Sequence, residues 1–328
     1  MKRLFSAVLP FAISFVLMAA GTVREYSNPV VNLDMPDPSL IRGDDGYFYL
    51  YVTESVRNLP VYRSANLVDW DFVGTAFTDS TRPDFEPKAG IWAPDISRVG
   101  NKYVLHYSMS VWGGEWTCGI GSAWSDSPHG PFTDNGLMFR SNEIGVQNCI
   151  DPFYIEENGR KYLFFGSFRG IYAVELTDDA LSVRPQSSLI KIAGSAYEGT
   201  YIHRKDGYYY LFASVGTCCE GINSTYTTVV GRSESLFGPY MDRQGHPMLE
   251  NNHEILIRRN NQFVGTGHNS EIVTDDDGND WILYHAVKVD SPKGRKLMLD
   301  RIEWIDGWPV VEGDTPSLKH PVPSFSKK

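Results

Sequence analysis

The chain of 328 residues is short of basic residues, and beyond its N-terminus it has no long apolar run. Lysine and arginine together number 30 against 40 aspartates and glutamates, which gives a formal net charge of −10. A surface with this balance is a poor match for nucleic acid or for an anionic membrane. We therefore expect a neutral substrate and no nucleic-acid partner.

Cysteine is also scarce, with four residues in the whole chain. Cys118 and Cys149 are isolated, whereas Cys218 and Cys219 are adjacent, and no pair has the spacing of a zinc site. Metal binding by cysteine is therefore not expected. For the adjacent pair we expect inert thiols, and a vicinal disulfide that shapes a loop is the alternative.

The one apolar run lies at the N-terminus, where residues 1–21 have the pattern of a secretory signal. Lys2 and Arg3 form a charged start, and Ala19-Ala20-Gly21 offers small residues for cleavage. A membrane anchor is the alternative, but the run is short and is interrupted by serine and proline. We expect an exported protein, periplasmic or extracellular, with no membrane association after cleavage and with one globular domain over residues 22–328.

A five-fold repeat runs through that domain. In each copy a Gly turn is followed three residues later by an aromatic residue and then by an aliphatic one: Gly46-Tyr49-Leu50, Gly100-Tyr103-Val104, Gly159-Tyr162-Leu163, Gly207-Tyr210-Leu211 and Gly278-Trp281-Ile282. The spacing suits one sheet per repeat, strand signals dominate, and helical periodicity is nearly absent. The sequence therefore predicts an all-β fold, a five-bladed β-propeller with four-stranded antiparallel blades. The expected blade limits are about 30–85, 86–145, 146–192, 193–262 and 263–316.

One polar residue stands upstream of the Gly turn in every repeat, four positions before an aliphatic residue. These residues are Asp37, Asp95, Asp151, Glu198 and His268. The innermost strand of a propeller blade lines the central channel, so equivalent positions in the five blades converge there. Carboxylates that converge in one cavity suit acid/base hydrolysis of a glycosidic bond, in which one carboxyl is protonated and another is ionised. The alternative, that they only form turns before strands, explains Asp-Pro pairs well and Glu198 poorly.

The motifs around these residues resemble glycoside hydrolase family 43, five-bladed propeller enzymes that act on arabinose- and xylose-containing polysaccharides, and among them the arabinanases most. The resemblance covers roughly residues 28–312. It is carried by Met35-Pro36-Asp37-Pro38-Ser39, Gly90-Ile91-Trp92-Ala93-Pro94-Asp95-Ile96, Asn148-Cys149-Ile150-Asp151-Pro152, Phe165-Gly166-Ser167-Phe168, Glu198-Gly199-Thr200-Tyr201, Gly267-His268-Asn269-Ser270 and the run from Cys218 to Tyr226.

Residue by residue, the resemblance implies a catalytic set. Asp37 would be the general base, Glu198 the general acid, and Asp151 the third carboxylate, which orients the acid and raises its pKa. The family inverts configuration, which requires a gap of ~6.5–9.5 Å between the acid and base carboxyls. Asp95 has no acid/base role in the family, and for it we expect a structural hydrogen bond.

The resemblance also implies an ion in the central channel, usually calcium in arabinanases, held directly or through water by His268. The alternative is a hydrogen-bonded core histidine, because calcium prefers oxygen ligands to a single imidazole.

For the substrate, the resemblance implies that Trp92 stacks on the sugar and that Asn148 and Ser167 bind pentose hydroxyls, with Phe168 in the same groove. Trp112, Trp116 and His285 are weaker candidates, and Arg169 is a candidate to recognise a decorated sugar. Two positions depart from the arabinanase pattern: Pro36 stands where many have His, and no Trp follows Phe168.

The expected function is hydrolysis of α-1,5-linked L-arabinan within the chain, by a monomer. An exo-acting α-L-arabinofuranosidase or a β-xylosidase is the alternative within the family. A catalytically silent carbohydrate-binding propeller is an alternative of another class, but a binder need not keep an acid and a base together.

Overall fold

The computed structural model describes residues 24–326. The predicted signal segment, residues 1–21, lies outside them. Within the described part of the chain, no helix is long and apolar enough to cross a membrane.

Nearly all regular structure is β-strand, arranged as successive antiparallel sheets. A short strand β1 (Glu25–Ser27) comes first. The first blade contains β2 (Ser39–Arg42), β3 (Phe48–Tyr51), β4 (Pro60–Ser64) and β5 (Trp70–Thr75). The second contains β6 (Gly90–Val99), β7 (Lys102–Ser110), β8 (Gly119–Ser125) and β9 (Thr133–Arg140). The third contains β10 (Phe153–Glu157), β11 (Arg160–Phe165), β12 (Ile171–Glu175) and β13 (Ile190–Ala193). The fourth contains β14 (Glu198–Lys205), β15 (Tyr208–Val215), β16 (Thr227–Ser233) and β17 (Glu254–Ile257).

The last blade differs because its inner edge is split in two. It contains β18 (Phe263–Gly267), β19 (Val273–Thr274), β20 (Asp280–Lys288), β21 (Ser291–Ile305) and β22 (Trp308–Val310). Both β18 and β19 pair with β20, and the chain between them carries His268. Near the C-terminus, β23 (Lys319–Pro321) pairs with β1. The predicted five-bladed propeller is confirmed.

Helices are few and short in the described residues. One four-residue α-helix, α1 (Ser141–Ile144), follows β9. Single 3-10 turns lie at Gly221–Asn223, Met248–Glu250 and Glu312–Asp314.

The aromatic residue of each repeat packs into the core between blades. Tyr49, Tyr103, Tyr162, Tyr210 and Trp281 are all buried. Contacts between blades are aromatic too: the rings of Phe153 in blade three and Tyr201 in blade four meet edge to face, with centroids 5.3 Å apart. Burying a large apolar side chain stabilises a fold by about 1.5–3 kcal/mol. The repeated aromatic residues therefore hold neighbouring blades against one another.

Strand pairing refines the predicted equivalence of the five polar positions. Ile41 pairs with Tyr49 and Ile155 with Tyr162, so Asp37 and Asp151 both lie four residues before the partner of the repeat aromatic. In the other blades, the residues that pair with the repeat aromatic are Arg98, His203 and Val273. Counted from these, Asp95 lies three residues before, and Glu198 and His268 lie five before. Asp37 and Asp151 are therefore strict equivalents, and the other three are shifted by one residue.

Candidate active site

A cavity of about 550 Å³ collects the predicted site residues from all five blades. Its lining includes Asp37, Trp92, Asn148, Asp151, Ser167, Phe168, Glu198 and His268. The residues from different repeats thus meet in one place, as the channel geometry of a propeller predicts.

The backbone around the cavity is held in conformations that side chains seldom adopt. Asp37 has φ of 54°, Asp151 of 59° and His268 of 48°, all in the left-handed region. Asn148 and Phe168 have positive φ as well. Such conformations cost free energy and cluster at functional sites, where the surrounding structure holds them.

Asp37 is the most strongly paired carboxylate of the cavity. Its Oδ1 lies 2.8 Å from Arg295 Nη1, and its Oδ2 accepts a hydrogen bond from Thr53 Oγ1 at 2.6 Å. His268 Nδ1 lies 3.3 Å from Oδ1. Burial alone would raise the pKa of Asp37, but the charge of Arg295, helped by the hydrogen bond from Thr53, holds that pKa far below its ordinary value. Asp37 is therefore ionised at neutral pH.

His285, a weaker candidate from the sequence, lies beneath Asp37 rather than in the lining. Its Nδ1 accepts the backbone N–H of Asp37 at 3.1 Å, so the neutral ring carries its proton on Nε2. Burial, and then the nearby Arg295, lower the pKa of His285 well below its ordinary value, so the ring is neutral. His285 thus fixes the backbone of Asp37 without adding a second cation.

Asp151 is buried, and its carboxylate faces the strand of Glu198. Its Oδ2 accepts the backbone N–H of Gly199 at 3.0 Å, and its own N–H donates to Ser108 Oγ at 3.0 Å. Burial raises the pKa of Asp151 well above its ordinary value, and the charge of Glu198 raises it further. Two carboxyls so placed cannot both ionise easily, so the pair retains a proton.

Glu198 ends a chain of polar side chains. Asn148 Nδ2 donates to Ser167 Oγ at 2.9 Å, and Ser167 Oγ donates to Glu198 Oε2 at 2.5 Å. Burial raises the pKa of Glu198, and the Ser167 hydroxyl partly offsets that effect. The cavity therefore holds one firmly ionised carboxylate, Asp37, beside a carboxyl pair that keeps a proton.

The prediction that all five polar positions converge in the cavity is wrong for Asp95, which does not line it. Asp95 is buried, and its Oδ2 accepts the backbone N–H of Tyr154 at 2.9 Å, which ties blade two to blade three. The predicted structural hydrogen bond is confirmed. Burial and the nearby Glu271 raise the pKa of Asp95 well above its ordinary value.

The expectation of inert thiols at Cys218 and Cys219 is wrong. The two residues form a disulfide, and both line the cavity together with Glu220. Sequence could not decide this, because adjacent cysteines bond only when the turn between them permits it. Cys118 and Cys149 are buried free thiols.

Of the weaker candidates for sugar binding, one lines the cavity and two do not. Trp112 lines it with 82% of its surface exposed, whereas Trp116 is not part of the lining. Arg169 also lies outside the lining, and its Nη2 is 2.7 Å from Glu115 Oε2. This ion pair occupies the guanidinium of Arg169, the predicted candidate for recognition of a decorated sugar.

The residues around His268 fit a calcium ion only through intervening water. Among residues 24–326, no group of three or more His, Cys, Asp or Glu side chains is arranged to hold a metal ion directly. The nearest carboxylate, Asp37, is already paired with Arg295. A hard cation here would need water oxygens to complete its shell.

Arg295 and Thr53 are site residues that the repeat did not reveal. Arg295 lies on β21, and Thr53 follows β3, whereas the repeat marks only inner-strand positions. Both line the cavity. No signal in the sequence singles them out.

Comparison with known proteins agrees with this geometry. The family glycosyl hydrolases family 43 matches residues 26–309. The extracellular endo-alpha-(1->5)-L-arabinanase 1 of Bacillus subtilis is 37% identical, over 94% of this chain and 98% of its own length. The extracellular exo-alpha-(1->5)-L-arabinofuranosidase of Cellvibrio japonicus is 34% identical, over 85% of this chain and 87% of its own.

Among solved structures, the alpha-L-arabinanase of Cellvibrio cellulosa complexed with arabinohexaose superposes with a TM-score of 0.76. The two chains are 32% identical, with 86% of this chain and 96% of that one covered. With the family match and the shared fold, the chain belongs to glycoside hydrolase family 43 and is a glycoside hydrolase.

Proposed function

We propose that this protein is an exported enzyme that cleaves α-1,5-linked L-arabinan within the chain, with inversion of configuration. The observation that carries the proposal is the division of charge in the cavity. Asp37 is held ionised by Arg295, while the Asp151–Glu198 pair retains a proton. Inverting hydrolysis needs such a base and such an acid.

In the proposed reaction, Glu198 gives its proton to the glycosidic oxygen as the bond from that oxygen to the anomeric carbon breaks. Asp37 takes a proton from a water molecule whose oxygen attacks the anomeric carbon from the opposite face. The new sugar end therefore has inverted configuration. The attacking water requires a gap of ~6.5–9.5 Å between the two carboxyls.

The hydrogen bonds favour Glu198 over Asp151 as the protonated member of the pair. The Gly199 N–H that contacts Asp151 Oδ2 can only donate, so it favours an ionised Asp151. The Ser167 hydroxyl beside Glu198 can donate or accept, so it tolerates a proton on that carboxyl. Asp151 then acts as the charge that keeps the proton on Glu198.

The lining suits a neutral pentose chain. Trp92 is half-buried in the cavity wall and offers a ring face for stacking on a sugar. Ser167 donates to Glu198 and Asn148 Nδ2 donates to Ser167, so the exposed Trp112 is the freer contact. The arabinohexaose complex of the Cellvibrio relative supports an arabinan substrate, and the extracellular relatives support export.

An axial calcium ion near His268 is part of the proposal, held through water as the local geometry requires. Its charge would help to set the carboxylate pKa values. The protein is proposed to act as a monomer.

Chromatography of the products of linear arabinan over time tests the function. Cleavage within the chain gives a ladder of oligosaccharides early in the reaction, with longer substrates cut faster than short ones. Arabinose alone at early times would establish the exo-acting alternative, and cleavage of xylosides only would establish the β-xylosidase. Binding without any cleavage would establish the silent propeller.

A further inference from the structure

The hydroxyl of Tyr226 is buried next to Glu198 and interacts with that carboxyl, but among the described residues it makes no hydrogen bond of ordinary distance and angle. The side chain is 1% exposed, and its hydroxyl is one of six buried polar side-chain atoms of residues 24–326 that lack a hydrogen bond of ordinary geometry. A buried hydroxyl left without a full hydrogen bond costs free energy, so such a group calls for an explanation.

The ring of Tyr226 is fixed from two sides. It stacks on His285, with centroids 5.6 Å apart and planes inclined by 12°. It also fills the space beside Gly267, where an added Cβ would stand 2.2 Å from Tyr226 Cδ1. The hydroxyl therefore cannot swing away to find water, and its position is set by the blade-five backbone.

That hydroxyl faces the acid of the site. Burial raises the pKa of Tyr226 well above its ordinary value, and the charges of Glu198, Asp151 and Asp37 raise it further, in that order. The phenol therefore stays protonated at any working pH and can only serve as a donor toward an anion. Glu198 is the carboxyl that the hydroxyl reaches, since Tyr226 and Glu198 interact as hydrogen-bond partners, whereas Asp151 and Asp37 act on the phenol through their charges alone.

We infer that Tyr226 is a positioning residue that acts through Glu198, by donating a hydrogen bond to that carboxyl as its proton passes to the glycosidic oxygen. The inference rests on the proposed function. No additional reactant is needed: the proton of Glu198 goes to the leaving oxygen, and Tyr226 keeps its own. Before the transfer the contact between the hydroxyl and Glu198 falls outside ordinary hydrogen-bond geometry, and it becomes a full hydrogen bond once Glu198 is charged.

An interaction that strengthens as charge develops lowers the barrier more than it tightens substrate binding. Burial also means that the interaction is not weakened by water. A buried hydroxyl without a full hydrogen bond lowers the free energy of unfolding of the resting protein. Activity and stability should therefore respond in opposite directions when the hydroxyl is removed.

The test is Tyr226→Phe in the full mature chain. On linear arabinan we expect kcat to fall by about 10- to 100-fold, the range of a hydrogen bond to a charged group, with KM little changed. On an arabino-oligosaccharide with a 4-nitrophenol leaving group, which needs little acid assistance, the loss should be much smaller. The melting temperature should stay equal or rise, because a buried hydroxyl without a full hydrogen bond is removed.

The pH profile gives a readout that a purely structural role would not move. A donor to the ionised carboxyl lowers the pKa of Glu198, so its loss raises that pKa and moves the basic limb of kcat/KM to higher pH. The charged groups that act on or are coupled to Glu198 remain in the variant, namely Asp37, Asp151 and Arg295, and so does the titratable His268 beside Gly199. A ¹³C-NMR titration of Glu198 in both proteins measures the same shift without substrate, so it tests the inference even if arabinan is not hydrolysed.

Tyr240→Phe is the matched control. Tyr240 is equally buried in the same blade, but its hydroxyl donates to the Leu236 carbonyl at 2.7 Å. This variant should lose stability and keep both kcat and the pH profile. An unshifted Glu198 titration together with unchanged kcat in Tyr226→Phe would overturn the inference. An inactive wild type with a shifted titration would overturn the proposed substrate alone.

Discussion

Arg295 Nη1 lies 2.8 Å from Asp37 Oδ1 and joins the last blade of the propeller to the first. Both side chains are largely shielded from solvent, with 20% and 11% of their surfaces exposed. The contact therefore does two things: it closes the ring of blades at the cavity and it keeps Asp37 ionised. Breaking such a shielded pair leaves an uncompensated charge.

Replacing Arg295 by Gln should move the acidic limb of the pH–rate profile to higher pH. Asp37 must be ionised to act as a base, and its pKa is held down by Arg295. Without the guanidinium that pKa rises, so activity is lost at a higher pH as the solution is acidified. The measurement is kcat/KM for arabinan as a function of pH.

Two controls sharpen that experiment. Arg295→Lys keeps the charge and should restore most of the acidic limb, although it loses the planar geometry of the guanidinium. Arg301→Gln, on the same strand but paired with the half-exposed Glu303, should leave the profile unchanged. An acidic limb that stays in place in Arg295→Gln would show that Asp37 is not the base whose pKa governs the reaction.

Alanine at Asp37 or Glu198 should lower turnover of arabinan by about 10²- to 10⁴-fold each, because general acid and base assistance is lost. Asp95→Asn is the contrasting variant, since Asp95 is a buried carboxyl of the same repeat that does not line the cavity. Its turnover should be near that of the wild type, and removing the repulsion with Glu271 should not lower its melting temperature. Near-normal turnover in Glu198→Ala would show that Glu198 is not the general acid.

The sequence predicted the fold and the polar residues at the centre of the cavity because both follow from one repeat. The predicted sugar contacts, such as Trp92 and Asn148, came from the family resemblance and not from the repeat. The Gly-turn and aromatic spacing marks a hairpin in every blade, and Tyr49 and Tyr210 occupy matching buried positions. Asp37 and Asp151 follow from the same spacing. Glu198 and His268 were found by resemblance as much as by spacing, since each is shifted by one residue from the strict equivalent.

The sequence could not predict contacts that are made by residues outside the inner strands of the blades. Arg295 is one of several basic residues near the C-terminus, and only the closure of the ring brings it to Asp37. Tyr226 stands in a recognised motif, but the geometry of its hydroxyl depends on packing against His285. The disulfide at Cys218 depends on local turn geometry, which composition does not determine.

Gly267→Ala should destabilise the protein by about 1–3 kcal/mol, the usual cost of overpacking a core. The added Cβ would overlap the ring of Tyr226, so activity should fall together with stability. Denaturant unfolding and turnover are the measurements. Gly278→Ala, at a positive-φ turn with open space around it, should cost stability without lowering turnover. Equal turnover in both variants would show that activity does not depend on the position of the Tyr226 ring.

Elemental analysis of the purified protein should find about one calcium ion per chain if the axial ion is present. His268→Ala should then lower the calcium content, and a chelator should reduce activity of the wild type. Calcium-free protein whose activity resists both the chelator and the substitution would establish His268 as a hydrogen-bonded core residue beside Asp37.

The most direct test of the mechanism is the configuration of the first sugar end released from α-1,5-linked arabinan. ¹H-NMR during the first minutes, before mutarotation, distinguishes the two anomers. With Asp37 as the base and Glu198 as the acid, the β-anomer should appear first and the α-anomer only later. If the α-anomer appears first, the reaction retains configuration, and the assignment of Asp37 as a base acting on water is wrong.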